Sequence, residues 1–234
     1  MTEPVIIGRA TLFNADCADV LASWPECFGV GAVVTDPPYG IGESGGNAAK
    51  RQRKAGGRSK ALADQRTYDA LEWDEQPVDL KLLNRLLELG RWQIVFGGNY
   101  YPMPAAKCWL VWDKVNGDND FADCELAWTN LPRAVRLKRY MWNGMLREKG
   151  AQRGDHPTQK PLEVMKWCIE QLPADVETIL DPFAGSGTTG VAAIQMGKRF
   201  IGIEREPKYF EAMCRRIREA SGEDMGPLFG TEAA

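Results

Sequence analysis

Short apolar runs recur along the chain, separated by stretches whose apolar residues keep helical spacing. Gly31 to Thr35, Trp92 to Phe96, Trp109 to Trp112, Glu125 to Trp128, Thr178 to Asp181 and Phe200 to Glu204 are rich in β-branched and aromatic residues. Each therefore predicts a strand, and Ala10 to Asn14 predicts another, ending at Asp16-Cys17 before a helical turn through Val20 and Leu21. Between Asp79 and Leu89, the residues Leu80, Leu83, Leu86 and Leu87 mark one face of a helix, and Gly90 is placed to end it. A second helix is expected from Pro161, since proline suits a first helical position, through Leu162, Met165, Cys168, Ile169 and Leu172. Two more are expected over 188–196 and 208–220, whereas the stretch 133–155 predicts no element. Strands alternating with helices predict an α/β fold, a doubly wound and mostly parallel sheet covered on both faces. The 234 residues suffice for one such domain over 1–220, with 221–234 as a flexible tail.

Two strand ends break the apolar pattern with chemistry. The first is Thr35-Asp36-Pro37-Pro38-Tyr39-Gly40. Consecutive prolines fix φ and remove two N–H donors, which leaves the carbonyls of Asp36 and Pro37 as acceptors outside any local ladder. The Asp36 carboxylate stands beside them and the Tyr39 ring follows. Acceptors beside a stacking face suit a flat base that presents an amino group. The segment 41–66 that follows is Gly-rich, basic and almost free of large apolar residues, the composition of a mobile surface loop.

The second is Asp181-Pro182-Phe183-Ala184-Gly185-Ser186-Gly187-Thr188-Thr189-Gly190, where strand, glycine loop and helix start follow in order. Gly185, Gly187 and Gly190 let a ligand approach the backbone, and Glu204 closes the next strand, where a carboxylate can accept from a ribose diol. A nucleoside-containing cofactor fits this loop. A Walker-type nucleotide site is disfavoured because no Gly-Lys-Ser/Thr follows the glycines. NAD competes on geometry, but only thirty residues follow Glu204 and a dehydrogenase gives no reason for Asp36-Pro37-Pro38-Tyr39.

Composition narrows the setting. With 44% hydrophobic and 26% charged residues the chain has an ordinary globular balance. No signal peptide and no run of transmembrane length is read, so a cytoplasmic protein without a membrane partner is expected. Six scattered cysteines without a Cys-x-x-Cys pair and one histidine, His156, predict reduced thiols and no metal site. The net charge of −3 hides two basic stretches. Residues 50–60 carry Lys50, Arg51, Arg53, Lys54, Arg58 and Lys60 with no acidic residue, and 133–153 carry seven cations, Arg136, Lys138 and Arg139 among them, against Glu148. Flanking a base pocket, they favour phosphate contact.

Between the two strand ends lies His156-Pro157-Thr158-Gln159-Lys160-Pro161. Asp-Pro-Pro-Tyr, then His-Pro-Thr-Gln-Lys-Pro, then Asp-Pro-Phe-Ala-Gly-Ser-Gly-Thr-Thr resembles, in that order, the permuted beta-type amino DNA methyltransferases. A weaker similarity covers Trp112-Asp113-Lys114. The resemblance spans most of 10–215. It implies a Rossmann-like S-adenosylmethionine-dependent fold with a seven-stranded sheet, one strand antiparallel. It further implies methyl transfer to N6 of adenine, with N4 of cytosine or an RNA base as alternatives, and a non-catalytic nucleic-acid-binding protein as the rival from another class. By resemblance, Asp36, Pro37, Pro38 and Tyr39 form the catalytic loop acting on a base flipped from double-stranded DNA. Asp181, Phe183, Gly185, Ser186 and Gly187 line the cofactor, Glu204 holds its ribose, Asp16 and Cys17 approach its adenine, and Thr158 and Lys160 its methionine end. Only 41–66 and 115–155 remain for target recognition, which implies a short or relaxed site or dimerisation. A bacterial or phage setting, with or without a partner endonuclease, accompanies the resemblance.

Overall fold

A computed structural model describes residues 3–24, 29–40, 77–116, 122–142 and 159–222. Their strands are β1 (Val5–Ile7), β2 (Ala10–Asn14), β3 (Ala32–Thr35), β4 (Trp92–Phe96), β5 (Cys108–Asp113), β6 (Cys124–Thr129), β7 (Arg136–Arg139), β8 (Thr178–Asp181) and β9 (Arg199–Glu204). The helices are α1 (Cys17–Ala22), α2 (Leu80–Glu88), α3 (Leu162–Glu170), α4 (Thr188–Gln195) and α5 (Pro207–Ser221). One sheet holds the nine strands in the order β1-β2-β9-β8-β3-β4-β6-β5-β7. From β2 to β4 every neighbouring pair is parallel, while β6 lies antiparallel between β4 and β5. Those seven central strands match the expected sheet with its single antiparallel strand.

The sheet is wider than expected by one strand at each edge. β1 turns back on β2 as an antiparallel hairpin, and β7 joins β5 in parallel within the stretch that predicted no element. Arg-Leu-Lys-Arg shows no strand pattern because β7 is an edge: three of its four residues are exposed.

Alternation along the strands assigns the two helical layers. Leu12, Val34, Ile179 and Phe200 face one side, packed with Met165 and Cys168 of α3, Val191 and Ala192 of α4 and Met213 and Ile217 of α5. Their neighbours Phe13, Val33, Leu180 and Ile201 face the other, against Val20 and Leu21 of α1 and Leu86 of α2. Each such aliphatic side chain, fully withdrawn from water, stabilises the fold by about 1.5–3 kcal/mol.

One boundary differs in kind. Pro161 is the N-cap of α3, with φ −61° and ψ 139°, and is not its first helical residue. Its fixed φ suits an extended residue equally well, and its carbonyl accepts the first intrahelical bonds, from Val164 and Met165 N–H at 3.1 Å each. Among the described residues no helix is long and apolar enough to cross a membrane.

The chain winds outward in opposite directions from adjacent strands, β8 through α4 to β9 and β3 through α2 to β4. The crevice at a sheet's carboxyl edge opens at such a reversal, where ligands of open α/β sheets bind. Both chemistry-bearing loops leave the sheet there.

Candidate active site

The end of β3 delivers Asp36 into this crevice. Its two carboxylate oxygens have different partners: the Tyr39 hydroxyl donates to Oδ1, and the Lys160 ammonium pairs with Oδ2. Pro37 is buried, and the Pro38 carbonyl accepts from the Tyr101 hydroxyl. The Tyr39 ring stacks on Tyr100, centroids 4.9 Å apart and planes 21° from parallel. It also lies against the backbone of Gly97, whose φ is +65° and where a Cβ would stand 2.0 Å from the ring. Glycine is therefore required at 97 by both its conformation and the space above it. Burial first, and then the neighbouring Asp36 charge, raise the Tyr39 phenol well above its ordinary value, which keeps the hydroxyl a neutral donor.

Lys160 is nearly enclosed, its side chain 10% exposed. Its Nζ lies 3.1 Å from Glu125 Oε2 and 5.2 Å from the centroid of the Phe96 ring. Burial alone would lower its pKa, but the carboxylates of Asp36 and Glu125 prevail and raise it. Glu125 also meets Lys114 Nζ at 2.7 Å. Burial opposes ionisation of Glu125, and the two lysines outweigh that effect, leaving its pKa below the ordinary value.

The glycine loop is built differently, chiefly from backbone N–H and hydroxyl donors converging on two carboxylates, with Arg216 as its cation. Asp181, buried at the end of β8, accepts from Thr35 Oγ1 (2.8 Å), Thr189 Oγ1 (2.6 Å) and the Phe183 N–H (3.1 Å). Burial pushes its carboxyl up to about 6 against the pull of those three bonds. The Gly185 and Glu206 N–H groups each donate to Glu204, at 2.8 Å, so this carboxylate clamps the loop to the end of β9; burial raises its pKa. Gly187, with φ +79°, packs so closely under α5 that a Cβ would stand 2.6 Å from Met213 Cγ. From α5, Arg216 donates to the Ser186 carbonyl (2.6 Å) and to Thr188 Oγ1 (3.1 Å), while the Ser186 hydroxyl donates to Gln159 (3.0 Å).

A cleft of about 510 Å³ joins the two loops. Asp16, Cys17, Lys160, Asp181, Phe183, Gly185, Ser186 and Glu204 line it, and Asp36 and Pro38 reach it from the β3 side. Asp16 caps α1 by accepting from the Ala18 N–H at 2.8 Å. Burial, and secondarily Asp16, push the Cys17 thiol up to about 12, so it is a neutral wall and not a nucleophile. The volume suits a nucleoside-sized ligand. The carboxylates of Asp16 and Glu204 suit its hydroxyl and amino donors, and the cations of Lys160 and Arg205, also on the wall, suit a carboxylate.

The family model for N6/N4 DNA methylases matches residues 111–215, a span that holds Glu125, Lys160, the glycine loop and Glu204. Over this span, a little under half of its length, the chain is similar to that family. Type II methyltransferase M.HinfI of Haemophilus influenzae is 26% identical over 251 residues, covering 89% of this chain and 68% of that one. M2.DpnII of Streptococcus pneumoniae is 44% identical over 84 residues, 36% of this chain and 31% of the relative. M2.LlaDCHI of Lactococcus lactis subsp. cremoris is 40% identical over 82 residues, 35% and 30%. The match thus spans about three-tenths of the length of these last two relatives. Among solved structures, the M1.HpyAVI–SAM complex superposes with a TM-score of 0.55 at 22% identity, covering 88% of this chain and 99% of that one. The cytosine-N4-specific PvuII DNA methyltransferase gives 0.52 at 15%, covering 97% and 89%. At these identities the likeness is one of fold.

The cleft brings together every expected cofactor residue but two. Gly187 stands behind the wall as a packing position, and Thr158 lies outside the described residues. Lys50, Arg51, Arg53, Lys54, Arg58 and Lys60 also lie outside them, as does the expected loop 41–66. Arg136 and Arg139 are exposed on β7 and Lys138 is half-buried between them; Arg139 Nε pairs with Asp113 at 3.1 Å. Sequence reasoning missed Tyr100, Tyr101, Glu125 and Arg216. An aromatic pair after a glycine turn was a usable signal for the first two. Glu125 carries no motif of its own, and only the antiparallel strand places it near Lys160.

Proposed function

We propose that the chain transfers a methyl group from S-adenosylmethionine to N6 of adenine in double-stranded DNA. The observation that carries this reading is the Asp36 carboxylate at the end of β3, opening into the same cleft as the glycine loop and Glu204. Glu204 and Asp16 would hold the nucleoside, and Lys160 or Arg205 the carboxylate end. The bound cofactor supplies an electrophilic methyl group.

An exocyclic amine is a poor nucleophile because its lone pair is delocalised into the ring. Asp36, accepting from the amine together with the Pro37 carbonyl, draws the nitrogen toward tetrahedral geometry and aims its lone pair across the cleft. The same carboxylate stabilises the positive charge that develops on nitrogen. It has capacity for this: an ionised carboxylate offers about four acceptor sites, and Tyr39 and Lys160 occupy two. Reaching the amine requires flipping the base out of the duplex, at roughly a few kcal/mol, which contact with the Tyr39–Tyr100 aromatic pair offsets in part. No covalent enzyme intermediate is needed, in keeping with the raised Cys17 thiol. Asp before Pro-Pro-Tyr supports adenine over cytosine by family analogy.

The test is radiolabelled methyl transfer to unmethylated genomic DNA followed by nucleoside analysis. N6-methyladenine is expected. N4-methylcytosine would retain the mechanism and overturn the base. Label in competing RNA alone would overturn the substrate, and no label despite measured cofactor binding would favour a non-catalytic nucleic-acid-binding protein.

A further inference from the structure

We propose that Glu125 is a positioning residue for methyl transfer: through Lys160 it holds the carboxylate of Asp36 in its working orientation, and Lys114 closes the network on the far side. This rests on Asp36 being the group that receives the amine. Because β6 runs against its neighbours, its first residues lie at the same edge of the sheet as the last residues of β3 and β4. The register confirms the placement: Ala127 pairs with Phe96, so Glu125 sits two residues beyond, past the end of β4 and on the same face. There its Oε2 meets Lys160 Nζ at 3.1 Å and its Oε1 meets Lys114 Nζ at 2.7 Å.

Lys160 needs such a holder. A lysine side chain carries about 2 kcal/mol of rotamer entropy, so one contact with Asp36 would fix neither partner. Two carboxylates from different strands on one enclosed ammonium, with the Phe96 ring beneath it, fix all three groups. Tyr39 takes the other oxygen of Asp36, so the plane of the carboxylate is set from both ends. The charged and titratable groups facing Lys160 are Asp36 from the β3 loop, Glu125 from β6 and the neutral Cys168 thiol from α3. Behind these stand Lys114 on Glu125, and Tyr39 and Asp181 near Asp36.

The consequence is a pH signature. In the wild type two carboxylates keep the ammonium protonated through the alkaline range against its burial. In Glu125→Gln only Asp36 opposes that burial, so Lys160 loses its proton at lower pH and releases Asp36. The expected result is a kcat about tenfold lower, the worth of one pKa unit of differential interaction, and a new fall of kcat with rising pH that the wild type lacks. Glu125→Asp keeps the charge and should restore part of the rate and flatten the profile. A Glu125→Gln profile parallel to the wild type, at any height, would overturn the proposal and leave Glu125 a structural ion pair. Should Glu125→Gln fail to bind cofactor, the proposal is read from its Lys160 midpoint, by NMR of lysine-labelled protein, and a midpoint no lower than in the wild type would overturn it. If the wild type transfers no methyl group, the proposed function fails instead. The proposal is then read from the Lys160 titration by NMR of lysine-labelled protein, where an identical midpoint in Glu125→Gln would sink it.

Discussion

The proposed cofactor side and the proposed base side of the cleft are built by opposite means. On the cofactor side, Asp181, Gly185 and Glu204 belong to the single β8-α4-β9 unit, and hydrogen bonds from N–H groups and hydroxyls fix the loop. On the base side, Asp36 is held by Tyr39 three residues away and by Lys160, which lies 124 residues on and is itself held by Glu125 from a third strand. A local loop of hydrogen bonds from backbone and hydroxyl donors is rigid through its backbone. A site of converging charges is only as fixed as the elements that carry them, and its components are coupled.

Asp36→Ala should break the comparison most visibly. It should lower kcat by a hundred- to a thousandfold, about the loss seen when a group stabilising transition-state charge is removed, and leave cofactor affinity measured by calorimetry within about a few-fold. Lys160 keeps Glu125 as a partner, so the variant should fold. An equal loss of cofactor binding would move Asp36 to the other side of the cleft.

Gly187→Ala is the mirror case. A side chain at φ +79°, directed at Met213, should cost about 2–4 kcal/mol in chemical denaturation, and cofactor affinity should fall with it. Retained stability would show that α5 yields and that the loop is less rigid than its bonds suggest.

Asp181 sharpens the contrast through pH. Its carboxyl is raised from 3.8 to about 6 in the folded chain, chiefly by burial. A raised carboxyl contributes stability that is fully present below its unfolded pKa and is lost as pH rises through the folded one. The stability of the wild type relative to Asp181→Asn should therefore fall between pH 4 and 6, by at most ~3 kcal/mol. A pH-independent difference would show that the three hydrogen bonds dominate over burial.

The smallest effect is expected outside both loops. Replacing Arg136 and Lys138 together by glutamine should weaken DNA binding and reduce the slope of log K against log salt by about 2, with kcat at saturating DNA unchanged. An unaltered slope would assign the β7 edge to solvent.

What could be read without coordinates follows the same division. All seven central strands expected from apolar runs begin and end within a residue of their observed bounds, because strands inside the sheet bury most of their side chains and so carry a hydrophobic signature. The edge β7 was missed for the converse reason, since exposure removes that signature from Arg-Leu-Lys-Arg, whereas β1 keeps it in Val5-Ile6-Ile7 but is only three residues long. Pro161 was placed one position too far into its helix because φ near −60° serves a cap and a first turn alike.

The sequence by itself determined the doubly wound sheet, the glycine loop with its strand-terminal Glu204, and the order of the two chemical segments. All are written in residues close to one another along the chain, where spacing reports geometry. Only the tertiary structure decided that Lys160 stands against Asp36, that the antiparallel β6 delivers Glu125 behind it, and that Tyr39 is backed by Gly97 and Tyr100. Those contacts join segments whose separation along the chain bears no relation to their distance in space, so they follow from strand direction and order, and no local pattern encodes them.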